Sequence, residues 1–346
     1  MNKLTKVGLS ALCGSLAAFS SANAGDMTVT GGVDMSWVSL GGGTGHTGNP
    51  LGIGSNLTFK GSGELDNGWT FDYTVAMLNA DAYSSAALNL DMGGLGKLNV
   101  NQGDSGNGID AFDDKMPTAW EEPWGAGLGT GVALVSGAGP QNNLQYTFPT
   151  VGGVTLVTAV VFDDGSADVS DKGTGVASNN TGRTYDATIN VNPSMGTEIL
   201  SGLNMFIGGS MTENYDTNGN NDRYEAVGGL TLDIGPISLG YATSGISTGE
   251  VVTGSNVDWY KNHMYGIAFN INDDLSVSYG KHESQQGFVN PGTYESVDMD
   301  ITSAQIAYSI GGASVRVAEI DVDNGSYQTG TAYDKEARVV SLSLAF

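Results

Sequence analysis

Five carboxylates, Asp110, Asp113, Asp114, Glu121 and Glu122, are crowded into the stretch GIDAFDDKMPTAWEEPWG between Gly108 and Gly125. Carboxylates at this spacing repel one another and attract cations, so the chemistry they offer is electrostatic: a negative field along a water path, with pKa values raised by mutual repulsion. Selectivity that depends on such a cluster should fall as the pH drops toward about 4 to 5. The stretch holds no His, Cys or Ser to act as a nucleophile. Trp120 and Trp124 flank the last pair of acids and are expected to anchor the segment by packing against a wall.

A second acidic motif, DTNGNNDRYE, places Asp216, Asn218, Asn220 and Asp222 at alternate positions, oxygen donors of the kind calcium takes. It lacks the central glycine and the terminal acid of an EF-hand loop, and a plain turn competes with a metal site. Calcium is the one cofactor the residues suggest. His46, His263 and His282 are the only histidines, and neither a Gly-x-Ser-x-Gly elbow nor a His-Glu-x-x-His pair accompanies them. His263 falls on the apolar parity of its segment, whereas His46 and His282 read as loop or loop-edge residues. An enzyme is not indicated.

The elements that must position the acidic stretch are short and alternate with period two. SNLTFKGSGEL sets Leu57 and Phe59 against Asn56, Thr58, Lys60 and Ser62; WTFDYTVAM sets Trp69, Phe71, Tyr73 and Val75 against Thr70, Asp72 and Thr74. Asp66-Asn67-Gly68 joins the two as a tight turn, which makes a hairpin. Sixteen such segments can be marked between Met27 and Phe346, and the run 103–142 is a long excursion without a strand pattern. Connectors alternate between tight turns and long polar loops, with 193–202 long where a turn is expected. One rim of turns and one rim of loops is the arrangement of a transmembrane β-barrel.

The polar parity carries Asp72, Asn89, Asp91, Asn99, Asp186, Asn190 and Glu225 mid-strand, too many to bury without partners, so that face should be wet. Aromatic residues near strand ends, Tyr73, Tyr146, Phe148, Tyr224, Trp259, Tyr260, Tyr279 and Tyr308, suit interfacial girdles. Lys3 and Lys6, the apolar run VGLSALCGSLAAFSS and Ala22-Asn23-Ala24 describe a secretory signal over 1–24, leaving 25–346 as a single barrel domain. The only cysteine, Cys13, leaves with it. The full chain has net charge −24, which loss of Lys3 and Lys6 takes to −26, so nucleic acid is not a partner.

Four stretches, SNLTFKGSGELDNGWTFDY, GLGKLNVNQG, NNLQYTFPTVGGVTLV and the terminal VVSLSLAF, resemble a Gram-negative outer-membrane general-diffusion porin, closest in character to alphaproteobacterial ones. The resemblance implies an all-β, sixteen-stranded antiparallel barrel in the outer membrane, usually a homotrimer, whose loop after the fifth strand folds into the lumen as a constriction. Segment 103–142 is then the constriction loop, and Phe346 is a signal for the barrel-assembly machinery. The family often lines the opposite wall with arginines; inward parity here offers only Lys60, Lys97, Arg223 and Arg316, so a more uniformly acidic, cation-preferring pore for small hydrophilic solutes is expected. Outer-membrane lipid and lipopolysaccharide are the implied surroundings. The alternatives are a substrate-specific porin and a secreted acidic, calcium-ordered surface β-protein.

Overall fold

The computed structural model describes residues 27–43, 48–79, 81–139, 141–162, 181–193, 201–214, 219–252 and 256–346. Its strands are β1 (Met27–Gly42), β2 (Leu51–Glu64), β3 (Thr70–Leu78), β4 (Asp81–Asp91), β5 (Lys97–Gln102), β6 (Asn143–Thr147), β7 (Val154–Val161) and β8 (Thr181–Val191). There follow β9 (Leu203–Asn214), β10 (Arg223–Ile234), β11 (Ile237–Ser247), β12 (Val257–Asn270), β13 (Leu275–Phe288), β14 (Val297–Ile310), β15 (Ala313–Asp323) and β16 (Lys335–Ala345). Each pairs antiparallel with its sequence neighbours, and β1 pairs with β16 from Gly32 opposite Ala345 to Gly42 opposite Lys335, which closes the barrel. Closure satisfies every edge, the condition for strands to stand in hydrocarbon. Beyond the ladder, Phe346 N–H donates to the Gly31 carbonyl and Gly31 N–H to that of Phe346, both at 2.9 Å. Gly31 is required there: a Cβ would lie 2.9 Å from the Phe346 ring.

The tight connectors have the expected turn chemistry. Gly68, Gly235 and Gly311 carry positive φ in the β2–β3, β10–β11 and β14–β15 turns, a conformation that other residues adopt only at a cost. Side chains alternate across the wall: on β12, Asn262, Met264, Gly266 and Ala268 are buried inside while Tyr265, Ile267 and Phe269 are exposed outside. Strand β13 runs on to Phe288, past the Lys281 at which alternation of apolar and polar residues stops in the sequence. His282 is therefore mid-strand and inward, buried, with Nε2 3.0 Å from Asn262 Oδ1, and not a loop-edge residue. Tyr260 also turns inward, its ring 5.2 Å from that of Tyr327, and takes no part in a girdle.

The inner face is not uniformly wet. Loop residues Ile109, Phe112, Met116 and Val135 pack on Phe206, Val227, Ala242, Ile246 and Met264 of the wall, and Ala126 and Leu128 pack on Met299, Ile301, Ala318, Ile320 and Val339. The barrel thus holds an apolar core between loop and wall, and Asp186 and Glu225, expected in the water path, are only 4% and 5% exposed beneath it. Segment 1–24 and the connector 194–200 lie outside the described residues.

Candidate functional site

The segment between β5 and β6 enters the lumen and crosses the inner wall from β8 to β16 and back. It begins with a short 3-10 helix, Gly108–Phe112, whose first N–H groups are taken by the wall: Gly108 donates to Gln145 Oε1 at 2.8 Å and Ile109 to Asp186 Oδ2 at 2.9 Å. The tip is seated by three glycines that stand side by side across β11, β12 and β13, Gly240 opposite Gly266 opposite Gly280. A Cβ on Gly266 would lie 2.8 Å from the Pro117 carbonyl and 3.0 Å from Met116, one on Gly280 2.8 Å from the Pro123 ring, and one on Gly240 would strike Pro117. The absence of side chains on this track is what admits the two prolines. Polar groups flank it: Ala119 N–H donates to Ser278 Oγ at 2.8 Å, and Trp120 and Glu121 N–H both donate to Gln305 Oε1 at 3.1 and 3.0 Å.

The returning limb is fastened as firmly. Ala133 N–H donates to the Tyr327 hydroxyl, and its carbonyl accepts from Asn262 Nδ2. Ser136 and Gly137 N–H donate to Glu225 Oε2 at 2.7 and 3.2 Å, and Ala138 N–H donates to Asp186 Oδ2 at 3.0 Å. Successive N–H groups around a residue of positive φ, here Gly137, form an anion-binding nest, and the wall supplies two carboxylates to fill it. None of Gly240, Gly266, Gly280, Asp186, Glu225, Ser278 or Gln305 is singled out by the sequence as holding the loop. The available signal was glycine at inward parity on three consecutive strands.

The five acids of the loop lie together, and burial is the first cause of the shifts of Asp110, Asp113, Glu121 and Glu122. Asp113 is pushed up to about 8 by burial, with Asp110, Asp114 and Glu122 adding repulsion. Glu122 is 8% exposed and is pushed up to about 7 by burial, then by Asp114 and Glu121. Burial raises Asp110 against a hydrogen bond from Gly106 N–H at 2.7 Å, and raises Glu121 against the pull of Arg316. Asp114 is exposed, 3.3 Å from Lys115. Asp113 and Glu122 therefore titrate well above the pH 4 to 5 expected from the sequence, because the apolar seat adds desolvation to repulsion. Trp120 and Trp124 pack against the apolar cluster under the loop, and the Arg316 guanidinium lies 4.9 Å above the Trp120 ring.

The four basic residues expected inward are each paired with a wall carboxylate, whereas Lys335, also inward on β16, donates to the Gly129 carbonyl of the loop at 2.9 Å. Lys60 meets Asp72 at 3.3 Å, Lys97 meets Asp91 at 3.1 Å, Arg223 meets Glu225 at 2.6 Å, and Arg316 meets Asp34. Among the described residues, Asp110, Asp113, Glu121 and Glu122 have no such ion pair. Nor do the described residues group three or more metal-ligating side chains anywhere. Of the calcium motif, Asp216 and Asn218 lie outside the described residues. Asn220 and Asp222 hold neighbouring chain: Val251 N–H donates to Asn220 Oδ1 at 3.0 Å and Asn214 N–H to Asp222 Oδ1 at 3.1 Å.

A closed sixteen-stranded barrel with the segment after its fifth strand packed against the inner wall defines a porin-type channel. The sequence profile of the Gram-negative porin family matches residues 8–309, and the chain belongs to that family. It is accordingly an outer-membrane diffusion channel and not an enzyme, which replaces the reading as a secreted surface protein. No curated protein matches the chain. Among solved structures, it is similar to an anion-selective porin from Comamonas acidovorans, with 15% identity and a TM-score of 0.64 over 93% of this chain and 99% of that one. Salmonella typhi OmpF, solved with daunomycin, gives 15% identity and 0.65 over 93% and 98%. A trimer form of Vibrio cholerae OmpT gives 12% identity and 0.64 over 93% and 100%.

Proposed function

We propose that the protein is a cation-preferring passive channel for small hydrophilic solutes, assembled as a homotrimer. The observation that carries the charge preference is the asymmetry of pairing: Lys60, Lys97, Arg223 and Arg316 are neutralised by wall carboxylates, while of the five loop acids only Asp114 has an ion pair among the described residues, with the adjacent Lys115. A ring of excess negative charge at a constriction focuses a potential that admits cations. The fold alone leaves the sign open, since the Comamonas porin of the same architecture is anion-selective. The trimer form of OmpT supports the oligomeric state. Phe346, exposed at the end of the closing seam, is the residue we assign to recognition by the barrel-assembly machinery.

The test is a reversal potential in planar bilayers under a potassium chloride gradient. Cation preference is expected for the wild type, moving toward neutrality in the combined variant Asp113→Asn, Asp114→Asn, Glu121→Gln and Glu122→Gln. An anion-selective wild type, or an unchanged potential in an assembled variant, refutes the reading.

A further inference from the structure

Near the tight turns, one row of inward side chains runs across four neighbouring strands. The register sets Asn270 of β12 opposite Ser276 of β13, Ser276 opposite Ala307 of β14, and Ala307 opposite Arg316 of β15. The next inward row carries Ser278 and Gln305, which face each other across β13 and β14 and hold the N–H groups of Ala119, Trp120 and Glu121. Fastening the backbone there makes Ala119 and Trp120 a roof over the row nearer the turns. Between roof and wall lies a cavity of about 650 Å³, closed on the turn side by Asp273 and Asp274 of the β12–β13 turn. Its volume falls within the range of about 300–1,000 Å³ usual for small-molecule sites.

The lining offers hydrogen-bonding groups around one aromatic ring, and most of them are uncommitted. Among the described residues, the side chains of Asn270, Ser276, Asp273 and Asp274 make no hydrogen bond or ion pair. Arg316 commits only Nη2, to Asp34 and, at 3.1 Å, to Ser341 Oγ, which leaves Nη1 for a guest. Its guanidinium lies 4.9 Å over the Trp120 ring and holds the indole in place at the cavity wall. The Ala307 side chain between Ser276 and Arg316 is too small to fill the space in front of them.

A guest that satisfies this lining must both give and accept hydrogen bonds and must present an apolar patch to the indole. An anion would meet Asp273 and Asp274 against a guanidinium already paired with Asp34. A simple cation would gain from the two carboxylates and leave the indole, the amide N–H groups and Nη1 unused. A neutral sugar uses all of them, since each hydroxyl is donor and acceptor at once and the C–H groups of a pyranose ring are apolar. We propose that the cavity is a binding subsite for neutral oligosaccharides. One ring packs against the part of Trp120 that lines the cavity, and its hydroxyls bond to Arg316, Asn270, Ser276 and the two aspartates. Sugar arriving from the turn side reaches the subsite without passing the loop tip. The proposal rests on the reading of the chain as a channel for small hydrophilic solutes and names a class of solute that it binds; it is independent of the charge preference.

The experiment records single channels of the full-length protein in planar bilayers while maltose or maltotriose is added to one side or the other. Both sugars should interrupt the current in a saturable way, with a faster on-rate from the turn side. Trp120→Ala and the double variant Asn270→Leu/Ser276→Ala should each raise the half-blocking concentration several-fold, and Trp120→Phe, which keeps a ring, should recover part of the loss. Because Trp120 also packs the loop, the double variant, which leaves Ser278 and Gln305 in place, separates loss of the subsite from displacement of the tip. A stable unitary current without sugar shows that each variant is assembled. A conducting wild type without saturable sugar block, a half-blocking concentration unchanged in Trp120→Ala and in the double variant, equal on-rates from the two sides, or block by tetraethylammonium or benzoate in place of the sugars overturns the subsite and leaves the channel standing. An assembled wild type that carries no current overturns both.

Discussion

Replacing Asp186 by Ala should release the inner loop between β5 and β6 while leaving the barrel intact. Its Oδ2 accepts N–H groups from both ends of the loop, Ile109 at 2.9 Å and Ala138 at 3.0 Å. Hydrogen bonds to a charged group contribute about 1.5–3 kcal/mol each, and the variant leaves two buried N–H groups without an acceptor, so the seat should weaken by roughly 3–5 kcal/mol. At about 1.4 kcal/mol per factor of ten, the unseated fraction rises on the order of a hundredfold to a thousandfold. The wall is unaffected, because Asp186 holds its place by backbone pairing with Ala159 and Ser210, which the substitution retains. Single-channel recording should therefore show added open-channel noise and sublevels, and liposome swelling should admit sugars that the wild type excludes. Asp186→Asn keeps one acceptor oxygen without the charge and should fall between the two. An Ala variant with quiet channels and the wild-type exclusion limit would refute the clamp.

Other outcomes follow from the same seat. Gly266→Leu places a side chain against Pro117 and Met116, so the tip should be displaced into the lumen and conductance should fall in a barrel that still migrates as folded in unboiled gels; wild-type conductance would exclude a seat on the glycine track. Asp113 and Glu122, raised to about 8 and about 7, keep their protons in the seat after exposed carboxyls have lost theirs, so the seat is most stable below the ordinary carboxylate range of about 4 and weakens from there as the pH rises through 7 to 8, while cation preference strengthens as the two groups ionise at 7 to 8. A reversal potential flat across that range contradicts this. Deleting Phe346 removes two hydrogen bonds from the closing seam with Gly31 and should lower the yield of assembled, protease-resistant barrel in cells; normal yield counts against it.

What was legible in the sequence was whatever is local along the chain. Alternation and turn residues are properties of neighbouring positions, so the strand set, the tight turns and the excursion 103–142 between β5 and β6 could be read directly. Parity also placed Lys60, Lys97, Arg223 and Arg316 inside. Parity says which side of the wall a residue faces, and it is silent on what lies there. Asp186 and Glu225 were therefore expected in water, when their inward direction delivers them to loop N–H groups that arrive from 77 and 89 positions away. The same gap hid the track of Gly240, Gly266 and Gly280, because three glycines become one groove only when the register of β11, β12 and β13 is known. It also explains the misplaced titration range of the loop acids. Their mutual repulsion is visible in the spacing of Asp110, Asp113 and Asp114, but desolvation, the larger cause, comes from the wall that Met116 and Phe112 press against. The carboxylates are written in the loop, and how much of their charge exists at neutral pH is decided by the wall that buries Asp113 and Glu122.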